Sequence, residues 1–566
     1  MKKRVLCFLF SLVLVFDIIF VANASESDIE VYTLMSGVSD GNGNIYDDYV
    51  VDSDGNRVEL FEDNDVIVSM AEDTLPVSYS SVDKGIITPA KNQGGSSSCW
   101  AFSTISALET SSIMQGFDTL ETADYSEAHL TWFTQNGLSQ DLTDGTYGDG
   151  QVSDHPYLVG GNWMYATSTI GRGAGLQLEE NAPWVLSWDE SELNTMSYDE
   201  DERYISYLGL KESHELVDTS KESVKRAIMK YGSLSAAYYS DTAYYSKNYK
   251  DYHQTAKSDV TNHAITVVGW DDNYSKKNFN TVCVPNADGA WLCKNSWGNI
   301  GEDGCFWISY EETSLGSFVY FVADKTDKQM HIYQYDGARP YYIFNSRIPA
   351  SVANTFTAKR DETLTRVGFF SVNDNIDAVV KIYKGASGYE SNPILGAEEI
   401  TVAETQIKNV EYGYQTVTLN EPVALSKGDV FTVVVTYSTD TGNLVYVATE
   451  GKDGLTGSVS YGGNPGESFI RLNGIWYATS NMNGTDYNNV FVKAMTVSNE
   501  KVLGDANKDG MLNLKDVVYI DRYLADGYDI CVDKMLSDVN DDRKIDLKDS
   551  VLITRYLAGG YGITLK

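Results

Sequence analysis

The chain has 566 residues and a formal net charge of -37 at pH 7, from 80 Asp and Glu against 43 Lys and Arg. A chain of this length is expected to hold several domains. The acidic balance argues against a nucleic-acid-binding protein, because neutralising phosphates requires clustered Lys and Arg. An acidic extracellular protein fits the composition better.

The first residues have the features of an export signal. A basic start, Lys2-Lys3-Arg4, precedes an apolar run over 5–21, and Ala22-Asn23-Ala24 matches a small-x-small cleavage site. We therefore predict a signal peptide over residues 1–24 and secretion of the rest. No later stretch of the sequence is long and apolar enough to span a bilayer.

A cysteine at a predicted helix start is the first candidate for catalysis. Cys99 follows a small polar loop and opens an apolar, helix-compatible run. Ser98 is predicted to cap this helix, and the positive end of the helix dipole would favour a thiolate at Cys99. Gln93 could place a side-chain amide beside the Cys99 backbone N–H, giving two donors for an oxyanion. The alternative is a small buried cysteine next to an ordinary loop glutamine.

Two later blocks supply a base and a group to orient it. His263 begins a β-branched run that predicts a strand, and Asn295 lies in the block Lys-Asn-Ser-Trp-Gly. A histidine base needs a third group that holds its ring in one tautomer, and the Asn295 carbonyl can do this while Trp297 shields the bond. The remaining histidines of the exported chain lack this strand setting. They are His129, His155, His214, His253 and His331.

Taken together, these blocks resemble the papain-family cysteine peptidases. The resemblance implies an α+β peptidase over 75–328, with a helical and a β-barrel-like subdomain and no cofactor for catalysis. It also implies roles for matching residues. The implied catalytic set is Cys99, His263, Asn295 and Gln93, and the implied substrate-binding set is Gly160, Gly161, Asn162, Trp163, Thr261 and Trp297.

Three departures from the family pattern accompany this resemblance. Ser96 and Leu158 stand where the family usually has one disulfide, so both halves of that bridge are missing together. The spacing from Cys99 to His263 is somewhat long, which predicts extra loops around 141–154 and 187–213. Residues 25–74 are predicted to be a propeptide that covers the active site, although the family's usual helical prodomain pattern is absent.

Four further cysteines remain in the exported chain. Cys283 and Cys293 flank an Asp-Gly turn and could face each other on a hairpin. Equally, these two together with Cys305 and Cys531 could all be buried free thiols. The sequence leaves both alternatives open.

Residues 329–497 change to short alternating runs separated by turn residues, which predicts an all-β sandwich. The region resembles the lectin-like domain that follows the peptidase in some bacterial surface cysteine proteases. Four aromatic residues could stack on sugar rings, although such residues more often form core or interface. They are Tyr341, Tyr342, Trp476 and Tyr477.

Residues 498–566 contain a duplicated acidic unit, whose two copies begin at Asp505 and Asp538. Each copy has oxygen ligands at the spacing of a calcium loop, followed by a short amphipathic helix. Arg543 replaces the usual loop glycine in the second copy. The predicted ligands are Asp505, Asn507, Asp509, Met511, Asn513 and Asp516 in the first loop, and Asp538, Asn540, Asp542, Lys544, Asp546 and Asp549 in the second.

This tail resembles a dockerin, a small all-α calcium-binding module with two EF-hand-like loops that binds cohesin modules on scaffolding proteins. The resemblance implies two calcium ions and two similar cohesin-binding faces. The residues implied for those faces are Leu514, Lys515, Arg522, Leu547, Lys548 and Arg555.

The sequence as a whole predicts a multidomain secreted cysteine endopeptidase of an anaerobic bacterium. Its substrates would be proteins or peptides, and its dockerin would tether it to a cohesin-bearing, cellulosome-type complex. One alternative is a non-catalytic or protease-blocking binding module of the same complex. The other is a cysteine amidase or transpeptidase that acts on cell-wall peptides. The intact Cys, His, Asn and Gln set favours the peptidase.

Overall fold

The fold is described from a computed structural model of the chain. The structure describes residues 30–35, 45–46, 49–59, 74–137, 153–257, 260–337, 339–385, 391–400, 404–440, 443–451, 464–482, 489–498, 501–508, 510–525, 530–559 and 563–566. The predicted signal peptide, most of the predicted loop over 141–154, and Asp509 lie outside the described residues. No helix in the described ranges combines the length and the apolar character that a membrane span requires.

The segment before residue 74 contributes strands to both of the regions that follow it. β1 pairs on one side with a strand of the region after residue 329 and on the other side with β3. β2 pairs with a strand that ends just before His263. The strands of the segment are β1 (Val31–Met35), β2 (Ile45–Tyr46), β3 (Tyr49–Val51) and β4 (Arg57–Val58).

Residues 75–328 form a helical part and a sheet part that pack against each other. α1 is buried along most of its length, as expected for a helix that is apolar or small on all sides. The helices are α1 (Cys99–Met114), α2 (Glu127–Gln135), α3 (Trp163–Gly171), α4 (Glu190–Leu193) and α5 (Lys221–Tyr231). The strands are β5 (Ser78–Ser80), β6 (Leu208–Glu215), β7 (Leu234–Tyr238), β8 (Asp251–Tyr252), β9 (Val260–Thr261), β10 (His263–Asp271), β11 (Ala290–Lys294), β12 (Cys305–Ser309) and β13 (Gly316–Lys325).

The strands of residues 330–497 belong to three sheets, and an apolar core lies between two of them. Alternate residues of β17 and β26 in one sheet meet those of β16, β18 and β22 in the other. The strands are β14 (Met330–Tyr333), β15 (Tyr342–Ser346), β16 (Ala350–Thr357), β17 (Glu362–Ser371), β18 (Ile376–Lys384), β19 (Glu398–Glu399), β20 (Thr405–Val410), β21 (Gly413–Leu425), β22 (Val430–Ser438), β23 (Val445–Thr449), β24 (Ser468–Leu472), β25 (Ile475–Ala478) and β26 (Val492–Val497).

One hydrogen-bonded sheet crosses the boundary that the sequence places near residue 328. β6 pairs with β13 on one edge and with β21 on the other. At the crossing, Gly413 has φ +143 and lies so close to Ser213 that an added Cβ would be 2.1 Å from the Ser213 carbonyl oxygen. A glycine is therefore required where the two regions join.

This sheet corrects one expectation from the sequence. Residues 187–213 are not simply an inserted loop, because β6 begins at Leu208 and lies inside the large sheet. The signal was present, since Leu208 and Leu210 alternate with less buried residues. It is short, however, and its polar end, Glu212 to Glu215, is stabilised by pairing with strands far away in sequence.

The tail after residue 498 contains two acidic loops, and each loop leads into a helix. The first loop leads into α6 (Leu514–Leu524) and the second into α8 (Leu547–Leu557), and the short helix α7 (Lys534–Ser537) precedes the second loop. α6 and α8 pack together over a small core that includes Ala506, Ile520, Val539 and Ile553. In both halves the same capping box begins the helix, formed by Asn513 with Asp516 and by Asp546 with Asp549.

Candidate active site

Cys99 and His263 are brought together because α1 packs along β10. Ser103, one turn into α1, donates a 2.6 Å hydrogen bond to the carbonyl oxygen of Ile265, the third residue of β10. The Ala264 N–H also bonds to the Cys99 thiol. The first residue of α1 therefore lies beside the first residues of β10, which include His263.

The nucleophile candidate Cys99 is half-buried and lies next to backbone N–H groups. Burial raises the pKa of Cys99, and the backbone N–H groups of Ala264, Trp100 and Cys99 itself counter part of this increase. The expected helix cap is not made, because Ser98 has φ -93 and ψ 17 and its side chain accepts no capping bond. The helix end thus favours a thiolate through its backbone N–H groups, without help from Ser98.

Asn295 orients the imidazole of His263. The Asn295 Oδ1 lies 2.8 Å from His263 Nε2 and also accepts a 2.8 Å hydrogen bond from the Ser296 N–H. That backbone donor identifies the oxygen of the amide, so Nε2 must donate and carry the proton. Nδ1 is then left without a proton and can accept one from a thiol.

Trp297 covers this pair. Its ring stacks on the His263 ring at a centroid distance of 4.7 Å and an interplanar angle of 21°. Burial lowers the pKa of His263 to about 4, although the bond to Asn295 favours the protonated form. Burial thus shifts both Cys99 and His263 towards their neutral forms, and it acts against the backbone N–H groups that favour a thiolate at Cys99.

Gln93 is held in position by Ser296, a residue with no role in the sequence-based prediction. The Ser296 hydroxyl donates to Gln93 Oε1 at 2.6 Å, and the Gln93 N–H donates to the Ser296 carbonyl at 2.9 Å. The Gln93 amide nitrogen donates one of its two hydrogens to the Ser96 carbonyl at 2.7 Å. Ser296 thus links the oxyanion candidate to the residue that orients His263. The Asn-Ser-Trp block contained this signal, but spacing alone could not reveal the partner.

Gly160 and Gly161 lie beside the start of α1. An added Cβ on Gly161 would stand 2.7 Å from the Trp100 ring, so this close approach requires glycine. The segment just before Gly160 contacts the loop before Cys99, because the Ser97 N–H donates a 2.8 Å hydrogen bond to the Tyr157 carbonyl. This backbone bond joins the two segments that lack the family's disulfide.

The structure gives two of the predicted substrate-binding residues other roles. Asn162 caps α3, because its side chain accepts bonds from Met164 and Tyr165 N–H groups. Trp163 is 5% exposed, and its ring stacks on Phe370 of the following region at 6.0 Å. Trp163 therefore packs at a junction between regions and is not available to line a substrate pocket. The family pattern fixed its position in the chain but not the direction in which it points.

The N-terminal segment lies next to His263. Ile45 pairs with Thr261 and Tyr46 with Val260, in antiparallel register, two residues before the histidine. Thr261, predicted to contact substrate, is 6% exposed beneath this pairing. A segment from before residue 74 therefore occupies backbone positions at the candidate cleft.

A cluster of buried polar and charged side chains lies next to Asn295. Lys294, next to Asn295, donates a 2.9 Å hydrogen bond to Thr88 Oγ1, and Thr88 donates to the Glu109 carboxylate at 2.5 Å. Burial lowers the pKa of Lys294, and the charge of Glu109 opposes this decrease. These contacts fasten β11, α1 and the segment before Cys99 to one another.

The cysteines described by the structure are all free. They are Cys99, Cys283, Cys293, Cys305 and Cys531. The alternative of four free thiols therefore agrees with the structure, but only Cys293 is buried, whereas Cys283 and Cys305 are half-buried and Cys531 is exposed.

The aromatic residues considered for sugar stacking are half-buried. Tyr341 and Tyr342 meet edge to face at 4.8 Å, and Trp476 packs against a small cluster that contains Ala353 and Phe469. Tyr477 packs against the sandwich core. Each of these four rings thus has packing contacts within its own region.

The two acidic loops of the tail have matching internal bonds. Asp505 accepts from the Gly510 N–H at 2.7 Å, and Asp538 accepts from the Arg543 N–H at 3.0 Å. Asp516 and Asp549 accept backbone bonds from within their own loops. All four of these carboxylates are buried, at 3% exposure or less.

Buried carboxylates of this kind suit a bound cation. Burial raises the pKa of Asp538 and of Asp549, and the charge of Asp538 raises the pKa of Asp549 further. Within the described residues, no group of three or more His, Cys, Asp and Glu side chains is arranged to hold a metal ion. Calcium loops also use Asn and backbone carbonyl oxygens, and the predicted ligand Asp509 lies outside the described residues.

The six residues predicted to bind cohesin all lie on the tail's surface. Leu514 is 61% exposed and Leu547 is 64% exposed, at equivalent positions of α6 and α8. Lys515, Arg522, Lys548 and Arg555 are exposed as well. The two helices therefore present similar mixed apolar and basic faces.

The fold and the Cys, His and Asn arrangement define the class of a cysteine protease, and comparison with known families agrees. The family model described as papain family cysteine protease matches residues 75–318, and the model described as lectin like domain matches residues 332–496. The chain therefore carries a domain that matches the papain family of cysteine proteases, followed by a lectin-like domain. Neither match extends into the tail.

Curated relatives cover the protease domain. Cathepsin K of Mus musculus is 27% identical over 236 residues, which is 40% of this chain and 57% of that protein. Procathepsin L of Rattus norvegicus is 25% identical over 250 residues, which is 42% of this chain and 62% of that protein. The chain thus spans about three fifths of the length of these relatives.

Solved structures extend the similarity to both domains. The cysteine protease and lectin-like domains of Cwp84, a surface layer associated protein of Clostridium difficile, are 28% identical to this chain with a TM-score of 0.62. The match covers 75% of this chain and 89% of that one. A second Cwp84 structure, after propeptide cleavage, matches with 28% identity and a TM-score of 0.60, over 74% of this chain and 99% of that one.

Proposed function

We propose that this chain is a secreted cysteine endopeptidase that hydrolyses peptide bonds in proteins through Cys99, His263 and Asn295. The observation that carries the proposal is the 2.8 Å bond from His263 Nε2 to Asn295 Oδ1 beneath the Trp297 ring. It leaves Nδ1 free of a proton, on a histidine whose neighbour Ala264 bonds through its N–H to the Cys99 thiol.

The reaction follows from these positions. Cys99 loses its proton to His263 Nδ1 as its sulfur bonds to the scissile carbonyl carbon. The positive charge on the imidazolium and the negative charge on the carbonyl oxygen attract each other, which offsets the cost of burying each of them. The carbonyl oxygen becomes an oxyanion that accepts hydrogen bonds from the Cys99 N–H and the Gln93 amide. His263 then protonates the leaving amine, and the C–N bond breaks to give a thioester. Water, deprotonated by His263, attacks the thioester and releases the acid and the thiol.

Product analysis tests this assignment against the other cysteine chemistries. The chain beginning near Leu75 is incubated with an unfolded protein and, separately, with peptidoglycan fragments. Internal cleavage of the protein, abolished by Cys99→Ala, is the expected result. Release of ammonia or transfer between cell-wall peptides, without internal cleavage of proteins, would favour the amidase or transpeptidase alternative.

We also propose that residues 25–74 act as an inhibitory propeptide. The pairing of β2 with β9 supports this, because it uses backbone beside His263 that an extended substrate would need. A chain beginning at Ser25 should therefore be much less active than one beginning near Leu75. Equal activity of the two forms would refute inhibition by this segment.

Secretion to a surface or extracellular complex is the proposed location. The basic and apolar start of the chain supports export. The similarity to Cwp84, described as surface layer associated, supports an extracellular setting. Recovery of the protein from the cytoplasm, with residues 1–24 intact, would contradict this proposal.

We propose that the tail is a dockerin that binds two calcium ions and a cohesin module. The duplicated loops, their buried carboxylates and the exposed faces of α6 and α8 support it. In the first loop, Asp505, Asn507, Asp509, Met511, Asn513 and Asp516 would hold the ion. In the second loop, Asp538, Asn540, Asp542, Lys544, Asp546 and Asp549 would hold it.

Calcium dependence and cohesin binding can be measured separately. Chelation should reduce tail helicity and abolish cohesin binding, because clustered carboxylates repel one another without a cation. Asp516→Ala with Asp549→Ala should reproduce the effect of chelation, whereas Leu514→Ala with Leu547→Ala should weaken cohesin binding with calcium uptake intact. Helicity and binding that persist after chelation would refute the assignment.

Carbohydrate binding by the lectin-like domain is a further part of the proposal. Its support is the family match over residues 332–496 together with half-buried aromatic rings such as Trp476. Retention of the full chain on cell-wall polysaccharide, weakened by Trp476→Ala, is the expected result. Equal passage of wild type and variant through such a matrix, without retention, would contradict it.

A further inference from the structure

Arg543 occupies the loop position where its counterpart in the first loop is Gly510. Its backbone has φ +66, a left-handed conformation that is unfavourable for a side chain of this size. Gly510 has φ +79 at the matching place. An arginine that tolerates this backbone indicates a compensating contact elsewhere.

The compensating contact is on the protease domain. Arg543 Nη2 lies 2.6 Å from Asp118 Oδ1, and Nη1 donates to the Thr122 carbonyl at 3.2 Å. The guanidinium also lies 5.6 Å from the centre of the Tyr125 ring. The second loop of the tail thus reaches the segment between α1 and α2.

Asp118 is arranged as an acceptor for this cation. Its side chain is 1% exposed, so an unpaired charge there would be costly. Ser112 and Tyr125 donate to one of its oxygens, and Thr122 donates to the other at 3.1 Å. Three neutral donors from the protease domain therefore hold the carboxylate in place, and the tail supplies its cation.

A second set of charges anchors the same loop. Lys328 Nζ donates to the Asp538 carbonyl at 2.7 Å and pairs with Asp541 at 3.3 Å, and Lys325 pairs with Asp541 at 2.5 Å. Close packing contributes less here, because a cavity of about 800 Å³ lies between the tail and the other two regions. Ile332, Tyr523 and Met535 line it. The junction therefore depends on specific charged contacts.

We propose that the segment from Asp118 to Tyr125 is a docking site on the protease domain for the second loop of the tail, and that Arg543 is the residue that fills it. The tail is then a fixed part of the enzyme, with its second loop held by the protease domain. Leu514 and Leu547, which begin the two exposed faces, stay exposed while Arg543 makes this contact. Any partner of those faces would hold the protease domain in one defined orientation.

The substitution Arg543→Gly separates this proposal from a flexible tether. It relieves the unfavourable backbone at position 543 and removes the docking side chain at the same time. Hydrogen exchange followed by mass spectrometry is measured on the full exported chain in calcium-containing buffer, with Cys99→Ala to prevent self-cleavage. Docking predicts that amides of residues 118–125 exchange at least about tenfold faster in Arg543→Gly, which corresponds to about 1.4 kcal/mol.

Two further variants make the result specific. Asp118→Asn should accelerate exchange in the same segment, and adding Arg543→Gly to it should have little further effect, because the two residues form one interaction. Lys534→Ala removes an exposed charge from the tail and should leave exchange at 118–125 unchanged. Unchanged exchange at 118–125 in Arg543→Gly, or full additivity of the two substitutions, would overturn the proposal.

Discussion

The Ser296 hydroxyl lies 2.6 Å from Gln93 Oε1, and the same residue's N–H lies 2.8 Å from Asn295 Oδ1. One serine therefore sets the positions of two side chains with different proposed tasks. Gln93 would bind the oxyanion, and Asn295 holds the imidazole. Because Ser296 is 5% exposed, water cannot easily replace either bond.

Ser296→Ala should lower kcat about tenfold to a hundredfold and leave KM nearly unchanged. The substitution frees the Gln93 amide to rotate, and loss of a well-placed oxyanion donor acts on the transition state more than on substrate binding. Steady-state hydrolysis of a peptide substrate by the chain starting near Leu75 measures both constants. Ser346→Ala, which removes a buried hydroxyl from the lectin-like domain, is the matched control. An unchanged kcat in Ser296→Ala would show that Ser296 does not position Gln93 for catalysis.

Thr33→Pro should raise the activity of the uncleaved chain by about tenfold. Thr33 pairs with Tyr342 of the lectin-like domain on one side and with Val51 on the other. Proline removes a backbone N–H from the middle of this sheet, so the N-terminal segment should detach more often. Activity of the chain starting at Ser25, with its normal cleavage site blocked, is the measurement. Thr33→Ala keeps the N–H and should stay inhibited, and equal activity of the two variants would contradict the strand contact's role.

His129 predicts a specific dependence of stability on pH. The residue is fully buried in α2, and burial lowers its pKa to about 4. The unfolded state binds this proton near pH 6.5 and the folded state does not, so stability is lost as the pH falls from 6.5 towards 4. One such proton contributes a slope of at most about 1.4 kcal/mol per pH unit.

His129→Leu should therefore make the loss of stability in this range shallower by up to that slope, whatever its effect at pH 7. Denaturant unfolding of the Cys99→Ala chain at several pH values between 4.5 and 7.5 measures it. Thr131→Val alters a buried neighbour in the same helix without removing a titratable group, and should keep the wild-type slope. Identical slopes for His129→Leu and wild type would show that this histidine does not cause the acid sensitivity.

The sequence predicted the site best where chemistry demands particular residues in a particular order. Cys99, His263 and Asn295 each stand in a distinctive local block, and the structure places His263 with Asn295 and the Cys99 thiol with Ala264. The short alternating runs predicted over residues 329–497 are likewise confirmed, for example by β22, where β-branched residues favour a strand. These features depend on local pattern.

Features that depend on contacts with residues far away in the chain could not be predicted from the sequence. Trp163 sits in the expected block but packs on Phe370, which is about 200 residues away along the chain. Ser98 has a good capping side chain, yet its backbone does not have the extended conformation that capping requires. In the sequence, Arg543 was only a departure from the calcium-loop pattern, because its partner Asp118 lies in another domain. In each case tertiary contacts decided the outcome.

Covalent labelling shows whether Cys99 is an activated nucleophile. The calcium-folded chain beginning near Leu75 is treated with a broad epoxide inhibitor of papain-like enzymes, beside Cys99→Ala and His263→Ala, and adducts are located by peptide mass mapping. We expect one adduct at Cys99, absent from Cys99→Ala and much slower to form in His263→Ala. The absence of an adduct, or labelling spread over Cys283, Cys293 and Cys305, would contradict it and favour a non-catalytic binding module.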